Sequence, residues 1–212
     1  MLRLDHITVA ALDLADGVAW AQERLGVEIP RGGEHPLMGT HNHLLRLADD
    51  LFLEVIAPDP AAAAPARARW FGLDSPATQQ ALASSPRLWT WVARTADLDQ
   101  ALREVTGSAG PAVRVTRGAL SWLIGVPDDG SMPFDGAFPT LIEWPPGPHP
   151  ASRMVGRGCS LLRFTVHHPQ ADRIAAQLEP RLSDPRVRFE PGPTCRLVAE
   201  IQTPNGVRVL DQ

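Results

Sequence analysis

The strongest constraint on this chain is that it repeats itself. Starting at Leu4, "LDHITVAALDLADGVAWAQERLG" gives a short strand, an Asp13 placed to cap a helix, and Leu14, Val18, Ala21 and Leu25 at helical spacing. After a Gly/Pro-rich connection, "HNHLLRLADDLFLEVIAPDP" reads as two strands around a tight turn at Asp49-Asp50, ending at Pro58. With a further strand placed inside residues 27–40, the unit is βαβββ. The order returns at Leu88 in "LWTWVARTADLDQALREVTG", where Asp97-Leu98 matches Asp13-Leu14, followed by "GALSWLIGVPDDG" and "FPTLIEWPP". A third pass runs from "SLLRFTVHHPQADRIAAQLEP" to "CRLVAEIQTPNGVRVLDQ", with a hairpin turn at Pro204-Asn205-Gly206. Repetition of one supersecondary unit predicts a core shared between copies. The expected layout is a first unit over residues 1–60, a second over 87–146 and a third, related unit over 158–212, all in one compact domain. Residues 57–69 and 145–158, rich in Ala, Pro and Gly, read as surface connections.

Composition narrows the function classes. A net charge of -4 without a basic run argues against nucleic acid and against a polybasic membrane patch. No stretch is long and apolar enough to span a bilayer, and the first ten residues are too polar for a signal-peptide core, so a cytoplasmic protein is expected. Cys159 and Cys195 lie far apart without metal-binding spacing and read as ordinary thiols. The chain has no Lys and no Tyr, which removes Schiff-base chemistry, a Walker A lysine and a Tyr general acid. A small molecule or another protein is the expected partner.

Chemistry concentrates where two copies coincide. "FLEV" and "LIEW" occupy the last strand of the first two units, which places Glu54 and Glu143 at matched positions among apolar residues. A buried carboxylate costs several kcal/mol unless it is paired, hydrogen-bonded or bound to a cation. In the third copy the corresponding position is Leu210. His6 and Thr8 share one face of the first strand, as Phe52, Glu54 and Ile56 share one face of the fourth.

Repeated βαβββ units with His on a first strand and Glu on a last strand resemble the vicinal oxygen chelate superfamily, the glyoxalase and extradiol dioxygenase fold. More narrowly, "LDHITVAALDL", "GGEHPLMGTHN", "LFLEVIAPD" and "FPTLIEW" followed by His149-Pro150 resemble its glyoxalase-like domain family, over nearly the whole chain. The resemblance implies an α+β fold in which repeated units form a curved β-cup with helices outside. It also implies a divalent metal (Fe, Mn or Zn) held by His6, Glu54 and Glu143, with the fourth ligand position falling near Thr90, a poor ligand. Such a metal would polarise a carbonyl or gather two substrate oxygens, and Glu143 or Glu54 would carry the proton in lyase, isomerase or dioxygenase-like chemistry.

Each residue also has a plain structural reading. His6 suits a core histidine bonded to a backbone carbonyl, and the two Glu residues suit ion pairs with Arg46 or Arg117. His41 and Asn42 are candidates for substrate contact or a replacement ligand, while His43 reads as part of a turn. His35 lies in a Gly/Pro loop, and His167 and His168 face opposite sides of a strand. Trp91 and Trp122 are candidates for a pocket wall, although strand aromatics, Trp89 among them, also suit core packing. Two outcomes follow: a metal-assisted enzyme of small molecules, or a metal-free protein that sequesters one in the same cup. The unpaired third unit would pack either within the chain or against a second copy in a homodimer.

Overall fold

The computed structural model describes residues 1–105 and 109–211. The first unit is β1 (Arg3–Ala10), α1 (Leu14–Leu25), β2 (Arg31–His35), β3 (Thr40–Ala48) and β4 (Leu51–Pro58). Asp13 starts α1 by accepting the backbone N–H groups of Ala15 and Asp16 at 2.7 and 3.1 Å, and Gly26 ends it with φ 68°, a conformation only glycine adopts cheaply. An unanticipated helix, α2 (Pro76–Ser84), is capped by Ser75 and fills the connection between units. The second unit is β5 (Arg87–Arg94), α3 (Leu98–Glu104), β6 (Ala112–Arg117), β7 (Leu120–Gly125) and β8 (Thr140–Glu143). Asp97 caps α3 as Asp13 caps α1.

Both units merge into one eight-stranded sheet in the order β2-β3-β4-β1-β5-β8-β7-β6. Within each unit the last strand runs parallel to the first, and β1 and β5 meet antiparallel at the centre. The sheet curls until its edge strands β2 and β6 touch, giving a nearly closed cup. Strand alternation divides the apolar side chains between two cores. Ile7, Val9, Leu53 and Val55 pack on the convex side beneath α1, whereas Ile56, Val92, Ile124 and Ile142 lie on the concave side.

The third unit repeats the order of elements but not of strands. It comprises β9 (Ser160–His168), α4 (Ala171–Leu178), β10 (Val187–Pro191), β11 (Arg196–Thr203) and β12 (Gly206–Leu210). Its sheet runs β10-β9-β11-β12, so the strand that pairs parallel with the first is the one directly after the helix, not the last. It therefore forms no third half of a cup. Its apolar face joins the convex core, with Phe164 and Phe189 ring centroids 5.6 and 6.3 Å from that of Trp91. Within the chain, this unit covers the convex core.

Candidate functional site

The concave face lines a pocket of about 470 Å³, part of it open to solvent. β1 and β4 contribute His6, Phe52 and Glu54; β3 contributes Asn42 and Leu44; β2 contributes His35. The second unit supplies Arg117, Trp122, Ile124, Ile142 and, just past β8, Trp144. Trp70 and Phe71 come from the connection between units. Phe71 sits at φ 59°, costly for a bulky residue, and the turn stacks its ring on Trp70 in the wall.

Glu54 is the buried carboxylate at the centre. Its Oε1 accepts from Asn42 Nδ2 at 2.7 Å, while Oε2 lies 3.5 Å from the Thr8 hydroxyl and 3.7 Å from His6 Nε2. Asn42 is held in turn by the Gly33 N–H, which donates to its Oδ1 at 2.9 Å. The "GG" of β2 makes this possible, because a Cβ on Gly32 would stand 2.2 Å from Asn42 Oδ1.

Behind His6 stands Asp5, fully buried. Neighbours along a strand normally face opposite ways, yet His6 Nδ1 and Asp5 Oδ1 are 2.7 Å apart. The β1–β5 pairing is irregular between Leu4 and His6, and such a bulge re-aims side chains. Asp5 Oδ2 accepts from Trp144 Nε1 at 2.8 Å and from His149 Nε2 at 3.0 Å. Burial alone would raise the Asp5 pKa, but the hydrogen bonds from His149 and His6 prevail and hold it well below the usual carboxylate range. An ionised Asp5 only accepts, so His6 donates from Nδ1 and presents Nε2 to Glu54. His149 donates from Nε2 and receives the Ala151 N–H on Nδ1 at 3.2 Å. His35, bonded through Nδ1 to the Thr40 hydroxyl at 3.0 Å, has its pKa lowered to about 3 by burial and then by nearby Arg117. It is a neutral wall group at ordinary pH.

Of the residues the sequence offers as ligands, proton carriers or substrate contacts, the structure gathers His6, Glu54, Asn42 and Trp122 in the cup and sends Glu143, His41 and Trp91 elsewhere. Glu143 lies on the other face of β8: its Oε2 accepts the Leu98 N–H at 2.7 Å, at the start of α3. Alternation gives the cup Ile142 and Trp144 instead. Neither Arg46 nor Arg117 pairs with it; Arg46 bonds Asp49 and the Met154 carbonyl. Trp91 packs in the convex core and donates Nε1 to the Ala137 carbonyl at 3.0 Å. His41 points to a separate surface depression, 4.0 Å from Asp59. His43 meets the Ile29 carbonyl at 2.6 Å, a structural role.

The implied metal set is therefore not assembled. Among the described residues no group of three or more His, Cys, Asp or Glu side chains is placed to hold a metal ion. His6 and Glu54 converge, Glu143 faces away, and Thr90 is fully buried with its hydroxyl unpartnered. The sequence reading gave Asp5 no role and took His149 only as part of the family motif. The available signal was an acidic residue beside His6 inside an apolar strand, which raises the same cost question as Glu143.

A nearly closed cup built from two βαβββ units is the architecture of the vicinal oxygen chelate superfamily. Residues 4–182 match the family described as glyoxalase-like domain, and the chain belongs to that family. Among curated proteins none matches. A hypothetical protein from Staphylococcus aureus is similar in structure, with a TM-score of 0.58 and 11% identity, over 92% of this chain and 88% of that one. Methylmalonyl-CoA epimerase of Streptomyces coelicolor, in complex with 2-nitronate-propionyl-CoA, aligns with a TM-score of 0.43 and 16% identity, covering 70% of this chain and 98% of its own. The Mycobacterium tuberculosis methylmalonyl-CoA epimerase gives 0.42 and 19%, over 68% and 88%.

Proposed function

We propose that this protein is a small-molecule enzyme that moves a proton next to a substrate carbonyl, with Glu54 as the base. One observation carries the reading: a buried carboxylate faces an aromatic-walled cavity with one oxygen anchored on Asn42 and the other open toward His6. In the step, the substrate C–H bond breaks, its proton passes to Glu54 Oε2, and the electron pair moves onto the carbonyl oxygen as an enolate. Return of the proton to the same carbon inverts or exchanges it; where that carbon bears a hydroxyl, delivery to the former carbonyl carbon, with the hydroxyl proton passing to the enolate oxygen, isomerises the substrate. His6, oriented by Asp5, stands beside Glu54 to take the proton onward through Nε2. The aromatic walls keep water from the enolate. Among the described residues the donors do not make a metal site, and the step uses the side chains alone.

The test is proton exchange in heavy water, followed by NMR, on a panel of 2-oxo acids, hydroxyketones and acyl thioesters. Exchange that disappears in Glu54→Gln with the fold intact is expected; exchange that survives the substitution defeats the assignment. Tight binding of panel members without exchange of any would make the cup a sequestering site instead.

A further inference from the structure

The cup carries hydrogen-bond donors that the protein itself leaves unused. Arg117, half-buried at the end of β6, lines the cavity and forms no ion pair or hydrogen bond among the described residues. Glu54 shares the cavity, yet the two do not pair; Glu54 is engaged by Asn42, Thr8 and His6. Trp70 is 3% exposed, lines the same cavity, and its indole N–H is buried without an acceptor. A buried donor without an acceptor, as the Trp70 N–H is, is costly unless something bound there accepts from it, and the half-buried Arg117 guanidinium is available to the same acceptor.

The seam of the cup holds Arg117 in place. There β6 meets β2, and a Cβ on Gly33 would lie 3.1 Å from Arg117 Cδ, so glycine at this point lets the arginine lie against the opposite sheet edge. The neighbouring His35 is neutral and adds no competing charge.

We infer that the cup recognises a substrate bearing a carboxylate, held by the Arg117 guanidinium with the Trp70 indole N–H as a second donor, while the remainder of the molecule faces Glu54. A planar guanidinium pairs with a carboxylate through two parallel hydrogen bonds, which selects an acid over its amide. The inference rests on the reading that the cup takes a small molecule, but not on catalysis by Glu54.

Binding of benzoate, phenylacetate and phenylpyruvate, each against its own amide, is measured by calorimetry on the full chain. At least one acid is expected to bind about tenfold to a hundredfold more tightly than its amide. Arg117→Gln removes that preference, Arg117→Lys keeps part of it, and Trp70→Phe lowers acid affinity by a smaller factor, all with melting curves like the wild type. Glu54→Gln retains the preference even where it stops exchange, which separates this inference from the assignment of the base. Equal affinity for acids and amides, a preference unchanged in Arg117→Gln, or no binding of any acid at millimolar concentration overturns it.

Discussion

The first two units carry nearly the same last strand and use it in opposite ways. In "FLEV" the glutamate faces the cavity; in "LIEW" it faces the helices and closes the first turn of α3. Strand pairing shows the reason. Thr8 pairs with Glu54 in the first unit, and Val92, which stands where Thr8 does when the two helix caps Asp13 and Asp97 are aligned, pairs with Thr140. Thr140, not Glu143, is the counterpart of Glu54. An odd displacement along a strand turns every side chain to the other face. The first unit thus supplies the polar side chains His6, Asn42 and Glu54, and the second supplies Ile142, Trp122, Trp144 and Arg117, which shape and charge the space.

The sharpest way to break this contrast is to remove the two glutamates separately. Glu54→Gln should lower proton exchange by about a hundredfold to ten-thousandfold, the range of a lost general base, with the circular dichroism spectrum unchanged. A comparable loss in Glu143→Gln would restore the symmetric reading. Asp5→Asn comes next. It leaves three donors, one buried and two part-buried, facing a poorer acceptor, and breaking a charge network around a buried carboxylate costs about 3 kcal/mol or more, read from denaturant unfolding. Exchange should fall as well, by less than in Glu54→Gln, because the His6 ring loses the group that orients it.

Much of the fold was legible because helix caps and turns act locally. Asp13, Asp97, Gly26 and the Asn205-Gly206 turn announce their elements over a few residues. The cup was legible in outline through His6, Glu54 and Asn42. What escaped depends on contacts remote in sequence. His149 and Trp144 reach Asp5 across 144 and 139 residues, and the irregular pairing that lets Asp5 and His6 touch is a property of two paired strands, not of one. The facing of Glu143 was lost for a related reason: a repeat aligned by eye on "LE" and "IE" fixes composition, whereas facing depends on parity, and a single step changes it.

Stability against pH sharpens the same comparison through His35, which belongs to the first unit but faces Arg117 of the second, with His6 and His41 also nearby. Its pKa is lowered from 6.5 to about 3 on folding, so the unfolded chain binds more protons between those values. The contribution is fully present above pH 6.5 and is lost as pH falls, by up to about 1.4 kcal/mol per pH unit for one proton. His35→Gln should flatten the wild-type decline between roughly pH 6.5 and 4. Below about pH 4 the depressed carboxylate of Asp5 adds its own loss, in the same direction, to both proteins, and their slopes converge only as pH nears about 3. Parallel curves over the upper range would mean that His35 is not held neutral.

The smallest effect belongs to Glu143. Its carboxylate accepts one backbone N–H at the start of α3, where a helix favours negative charge, so Glu143→Gln should cost about 1 kcal/mol. Exchange and acid binding should match the wild type. Metal content by plasma mass spectrometry, after purification without chelators, should also be the same in both proteins, whatever that content is, since Glu143 reaches no site in the cup. Metal present in the wild type and lost in this variant would instead require β8 to shift register by an odd number of residues, turning Glu143 into the cup and taking Ile142 and Trp144 out of the wall. The Trp144 hydrogen bond to Asp5 would break with that shift, so indole fluorescence on metal addition reads the same alternative from the other side of the strand.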